Sequence, residues 1–263
     1  MSDASHRLST ELPRTPAAPG RPWTWSVTTR SRADLPLALH LGHRQLPVGA
    51  EVEVAVWTPS AGRPGAVPVE ALLEGAGFAL VGDIVDDATG WHARVVRRRT
   101  LADSVGPGMR LLVCGVNPSP YSADAGVGYA RPGNRFWPAA RAAGLVDIDR
   151  DPVAALAKGV GMTDFTKRAT RTAAEVTREE YGTGMERLAA LVGWLRPGAV
   201  CFVGLSGWRT VVDRGASAGP QADTVAGRPV YLMPSTSGLN ARTPLDELSR
   251  HLAAAADLGS AAD

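Results

Sequence analysis

Lysine is almost missing from this chain: Lys158 and Lys167 are the only two, so 26 of its 28 basic residues are arginine. Arginine suits forked phosphate contacts, but the alanine-, glycine- and proline-rich composition points more to a GC-biased coding sequence as the cause. The net charge of +2 over 263 residues permits a nucleic-acid partner without requiring one, because such a face needs clustered rather than total charge. Cysteine is scarce too. Cys114 and Cys201 sit inside the apolar runs LLVCGV and AVCFVG, where a thiol packs as a small hydrophobe; a disulfide framework is unsupported and a four-thiolate iron–sulfur cluster is excluded. The five histidines, His6, His40, His43, His92 and His251, all fall outside the stretches that hold the candidate loops, which removes the usual general base and the usual zinc ligand. No GxxxxGKS/T phosphate loop supports nucleotide hydrolysis. No apolar run approaches the roughly 18 residues of a membrane span, and no apolar signal core opens the chain, so a cytoplasmic protein without a membrane partner is the expectation.

Residues 1–22 mix Pro, Ala, Ser, Thr and charge without periodicity, and are expected to be a disordered tail. Residues 23–103 read as a small α+β module: an alternating strand at 51–57, a glycine-closed helix at 69–78, and a hairpin of strands at 79–85 and 91–96. Its order is similar to the closing section of class I methyltransferases. The glycine-rich cofactor loop of those enzymes is missing, so the module is expected to be accessory. Residues 104–258 alternate strand and helix, the sequence signature of a three-layer α/β/α sandwich with a mainly parallel sheet. Strands are expected at 111–116, 159–164, 199–204 and 229–233, and helices at 135–143, 178–194, 207–213 and 244–256.

Two strand ends carry polar, proline-stiffened loops. The run at 111–116 delivers Asn117 into Pro118-Ser119-Pro120, a turn that reads as having no room for a helix, and the run at 229–233 leads into Pro234-Ser235-Thr236-Ser237-Gly238-Leu239-Asn240. Ligands of open α/β sheets gather where such strands end. A site made of amides, hydroxyls, backbone donors and aromatic faces suits a reaction whose leaving group is already tolerable. Release of a nucleobase is one: the protein extrudes the nucleotide, holds the base and aims a water at the sugar. A neutral asparagine can aim that water, and the lack of general acid–base help predicts a slow enzyme.

The run GVNPSPYSADAGVGYARPGNRFW resembles, without a gap, the first motif of the mismatch-specific uracil-DNA glycosylases, which begins GINPG and runs on to NRFW or NHFW. PSTSGLN resembles their second motif, and the likeness covers roughly residues 106–256. The resemblance implies a monofunctional glycosylase that hydrolyses uracil from G:U mismatches in double-stranded DNA, works without metal or organic cofactor, is a monomer, and acts on the bacterial nucleoid. It gives Asn117 the water-positioning role and Tyr129 the face that stacks on the flipped base, with backbone groups near Val116 and Tyr129 reading the base edge. Ser122 stands where G:U enzymes carry serine and the thymine-acting enzyme alanine; Ser235 stands where the fast uracil glycosylases keep histidine. Leu239 would wedge into the vacated stack, beside Ser237, with Gly238 and Asn240 presenting backbone groups to the orphaned guanine. Ser119 departs from the family glycine and adds a hydroxyl near the expected water. A preference for hypoxanthine, xanthine, an etheno or an alkylated base, and a non-catalytic damaged-DNA-binding protein, are the alternative readings. Arg168 and Arg171 are either phosphate contacts or a solvated face.

Overall fold

The computed structural model describes residues 13–16, 18, 20–29, 31–57, 68–87, 90–240 and 242–260. Residues 1–12, most of the expected tail, lie outside these. Within the rest of that tail Arg14 exchanges two backbone hydrogen bonds with Thr24.

Four strands, β1 (Trp23–Thr28), β2 (Glu51–Trp57), β3 (Phe78–Asp87) and β4 (Gly90–Arg97), form one sheet in the order β1-β2-β4-β3. Alternation in β2 turns Val52, Val54 and Val56 inward, as a half-exposed strand requires. Onto that face pack Leu35, Ala38 and Leu39 of α1 (Leu35–Gln45) and Leu72 and Leu73 of α2 (Val69–Gly75). The hairpin of β3 and β4 is where the sequence placed it. β1, which pairs parallel with β2, and α1 were not read from the sequence.

The second sheet contains β5 (Leu111–Gly115), β6 (Val160–Asp164), β7 (Ala199–Val203), β8 (Gly219–Pro220) and β9 (Val230–Met233), in the order β6-β5-β7-β9-β8. All its pairings are parallel except that of β8 with β9. β5, β6, β7 and β9 are buried along their whole length, the mark of strands covered on both faces. One face is covered by α4 (Phe136–Ala142), α5 (Pro152–Ala157) and α8 (Leu245–Ser260), through Phe136, Ala139, Ala155, Leu248 and Leu252. The other meets α6 (Arg178–Leu195) and α7 (Ser206–Val211), where Leu188, Leu191, Val192 and Trp208 are buried. This is the three-layer α/β/α sandwich expected from the alternation. A capping box of Thr177 and Glu180 starts α6.

The two sheets share one core. Trp25, Val54 and Leu72 belong to the same contiguous apolar cluster as Leu112, Leu188 and Phe202. Where they meet, the carboxylate of Asp103 accepts from Lys167 Nζ at 2.7 Å, Arg187 at 2.8 Å and Thr163 Oγ1 at 2.8 Å. Among the described residues no helix is long and apolar enough to cross a membrane.

Candidate active site

Both polar loops open from the carboxyl end of the second sheet into one cleft of about 1250 Å³. The first loop departs from the sequence reading. A short helix, α3 (Pro120–Ala125), follows Asn117 almost at once, because Ser119 caps it and Pro120 supplies a preset first-turn φ. The Ser119 hydroxyl accepts from Ser122 N at 3.1 Å and donates to Ser122 Oγ at 3.1 Å, so the group that replaces the family glycine is turned back onto its own helix. Ser122 itself is buried on the cleft wall.

Asn117 Nδ2 donates to Thr170 Oγ1 at 2.7 Å and to the Arg168 carbonyl at 3.1 Å. Thr170 Oγ1 donates in turn to the Thr172 carbonyl at 2.7 Å, and Thr170 N donates to Pro118 O at 3.1 Å. The loop after β6 therefore fixes which end of the amide is which. Oδ1 is left as an acceptor with no donor among the described residues. The Arg168 side chain is spent elsewhere: it forks onto Glu180 at 2.5 and 2.9 Å and holds that carboxyl down to about 2. Arg171 stays exposed and lines the cleft, as do Arg131 and Arg242.

Tyr129 sits at φ 57°, a left-handed conformation costly for a bulky residue and most often kept at functional sites. One ring face lies on Phe136, with centroids 4.2 Å apart and planes 19° from parallel, so that face is taken. Its hydroxyl is buried without a partner beside Gly115, where a Cβ would stand 3.1 Å from Tyr129 Oη and 2.4 Å from Asp164 Oδ1. A side chain there would push Asp164 from its place, which favours glycine. Val116 and Ser235 line the same cleft.

The second loop is tied to the first. Arg135 donates to the carbonyls of Thr243, at 2.5 Å, and Asn240, while its own amide bonds Thr236 O at 2.9 Å. Gly238 lies against Gly133, too close for any Cβ, which would meet Gly133 O at 2.9 Å. Asn240 spends its amide N–H on Ser237 O and its side chain on Ser235 O and Thr243 Oγ1. Both of its backbone groups are thus engaged inside the protein, contrary to the expectation that they face an orphaned base; the peptide groups of Gly238 have no partner among the described residues. Ser237 Oγ accepts from Leu239 N at 3.3 Å, and Leu239 projects with 87% of its surface exposed.

Among the ionisable cleft residues that were not read as site residues are Asp164 and His40. Asp164, the last residue of β6, lines the cleft although only 7% exposed; burial lifts its carboxyl to about 6 against the pull of Lys167 and Arg187. The strand-end rule that found Asn117 would have found it. His40 of α1 also lines the cleft, which corrects the exclusion of all histidines. Nothing in the sequence signalled it, because it comes from a distant helix. Burial pushes His40 down to about 4, its Nδ1 donates to Asp103 O at 3.1 Å, and its Nε2 has no partner. Among the described residues no cluster of three His, Cys, Asp or Glu is placed to hold a metal ion.

A family description, Uracil DNA glycosylase superfamily, matches residues 102–258, more than half of the chain. The chain belongs to the uracil-DNA glycosylase superfamily. The superfamily region begins one residue before Asp103 and holds both cleft loops, whereas His40 precedes it. Among solved structures, the chain is similar to that of "a putative Uracil DNA glycosylase from Methanosarcina acetivorans", with 23% sequence identity, a TM-score of 0.44, and coverage of 61% of this chain and 97% of that one.

Proposed function

We propose that the chain is a monofunctional glycosylase that hydrolyses uracil from G:U mismatches in double-stranded DNA. The observation that carries this is the fixed amide of Asn117: with Nδ2 held by Thr170 and Arg168 O, the free Oδ1 can accept a hydrogen bond from a water at the mouth of the cleft. An extruded uracil would lie on the other face of Tyr129. The water oxygen bonds to C1′ as the C1′–N1 bond breaks, the bonding pair leaves with the base, and the proton that the water gives up passes to solvent, from which the uracil anion is reprotonated, giving an abasic site and uracil. This mechanism assigns the water no general base, which forgoes an acceleration of about 10²- to 10⁴-fold.

Leu239 would fill the gap left by the extruded nucleotide, with the unpartnered peptide groups of Gly238 beside the opposite base. Arg131, Arg171 and Arg242 on the cleft rim supply phosphate contacts. Single-turnover release of base from G:U, A:U and single-stranded uracil DNA, followed by cleavage of the abasic product, tests the proposal. G:U is expected to react fastest. Inert uracil substrates alongside an active hypoxanthine, xanthine or etheno-base duplex would reassign the substrate, and binding without any abasic product would leave only a damaged-DNA-binding role.

A further inference from the structure

Asp164 is an ionisable group of the chamber behind Asn117 that this mechanism does not use. We propose that Asp164 contacts the extruded base and gates uracil release by its protonation: as a carboxylic acid it donates a hydrogen bond to a carbonyl oxygen of the departing base, and as a carboxylate it opposes the negative charge growing there. The inference rests on the glycosylase reading given above and assigns a further determinant of specificity within that site.

Geometry isolates this carboxyl. Two cations lie close to it, but both are committed: Lys167 Nζ bonds Asp103 Oδ1, and Arg187 bonds Asp103 Oδ2, Thr163 Oγ1 and the backbone carbonyl of Asp164. The Asp164 side chain receives no hydrogen bond from either and lines the cleft beside Tyr129 Oη and the bare Cα of Gly115. A base resting on Tyr129 would therefore bring its polar edge to a carboxyl with no other partner. Amide or alcohol side chains in that place would be neutral at every pH; a carboxyl is not.

The other titratable groups facing Asp164 do not change charge near neutrality. On β5, burial pushes the Cys114 thiol well up; in the loop before α4, burial does the same to the Tyr129 hydroxyl. His40 of α1, brought down to about 4 by burial, stays neutral. Burial alone would raise Asp103, but Lys167 and Arg187 hold its carboxyl below the usual range, so it remains their anion. Asp164, near 6, is the member of the group whose charge changes between pH 5 and 8. Uracil leaves as an anion, and an adjacent carboxylate disfavours it.

The test is single-turnover uracil release from a G:U duplex at saturating enzyme between pH 6 and 8. If the acid form alone is active, the wild-type rate falls about 50-fold over that range as a group titrating near 6 loses its proton. Asp164→Asn keeps the shape and supplies an uncharged donor; its profile is expected to be flat, and at pH 8 it should outrun the wild type by about tenfold or more. A flat wild-type profile, or an Asp164→Asn enzyme that keeps the wild-type slope, overturns the gate while leaving the glycosylase assignment standing. Wild type and variant both inert on uracil at every pH overturn the assignment and the gate together. Should the variant fail to fold, the wild-type slope alone decides.

Discussion

Asp103→Asn removes one charge from the contact between the two sheets and leaves its shape. Lys167 and Arg187, with 6% and 2% of their side chains exposed, would then be buried cations facing an amide. Breaking a buried pair by removal of one partner costs about 3–5 kcal/mol, far more than the pair itself need contribute, because the remaining charge is left uncompensated. With an unfolding entropy of about 2.1 cal/mol/K per residue, 263 residues give about 0.55 kcal/mol/K, so the melting temperature should fall by about 6–9 °C. Thermal denaturation followed by tryptophan fluorescence at pH 7 measures this. Asp103→Asn combined with Lys167→Met should regain part of the loss, since one of the stranded cations is gone. A second readout is kinetic. Lys167 precedes Arg168, whose carbonyl holds the Asn117 amide, so release of Lys167 should slow base excision as well as lower the melting temperature. A shift of less than about 2 °C in Asp103→Asn, with excision unchanged, would refute the view that this carboxylate compensates two buried charges.

Asn117→Ala should bind G:U DNA as the wild type does but lose roughly 10²- to 10³-fold in single-turnover rate, and a near-wild-type rate would remove Asn117 from the mechanism. Leu239→Ala should weaken excision from duplex more than from single-stranded DNA, because only the duplex imposes unstacking and unpairing costs; equal losses at fixed salt would mean that Leu239 merely packs the loop. Acid should destabilise the fold: His40 and His43, brought by burial to about 4 and about 3, refuse protons that the unfolded chain accepts near its ordinary value, so their contribution is full above that value and is lost as pH falls toward 4. Asp164 acts oppositely, its contribution being full below the ordinary carboxylate value and lost as pH rises through about 6, but it is one group against two. Melting temperatures that stay level or rise from pH 7 to 4.5 would contradict this balance.

The parallel strands and long helices were legible because burial imposes one-residue-type runs on β5, β7 and β9 and a 3.6-residue apolar repeat on α6. Asn117 and Leu239 were legible because they stand in ordered motifs at strand ends. What escaped had no periodic signal. α3 and α5 are six residues each, fixed by capping Ser119 and Asp151 with a proline behind them. β1 becomes a strand only through its pairing with β2. His40 enters the cleft by tertiary packing alone, and Asp164 shows its unusual environment only once Gly115, Tyr129 and the Asp103 cluster are in place around it.

The single core running beneath both sheets gives residue 102, where similarity to the superfamily starts, an unusual status. It marks a boundary of ancestry without marking a boundary of folding. Cut there, the chain would lose the Gly75 carbonyl that receives the Asp103 amide and the His40 ring that donates to the Asp103 carbonyl. One face of α6 is committed to α2, and Gly75 of α2 comes so near Asp103 that an added Cβ would stand 2.4 Å from its carboxylate. Substitutions on either side of that seam are consequently not free to drift separately: the catalytic half has inherited the packing constraints of its neighbour, and the neighbour those of the cleft.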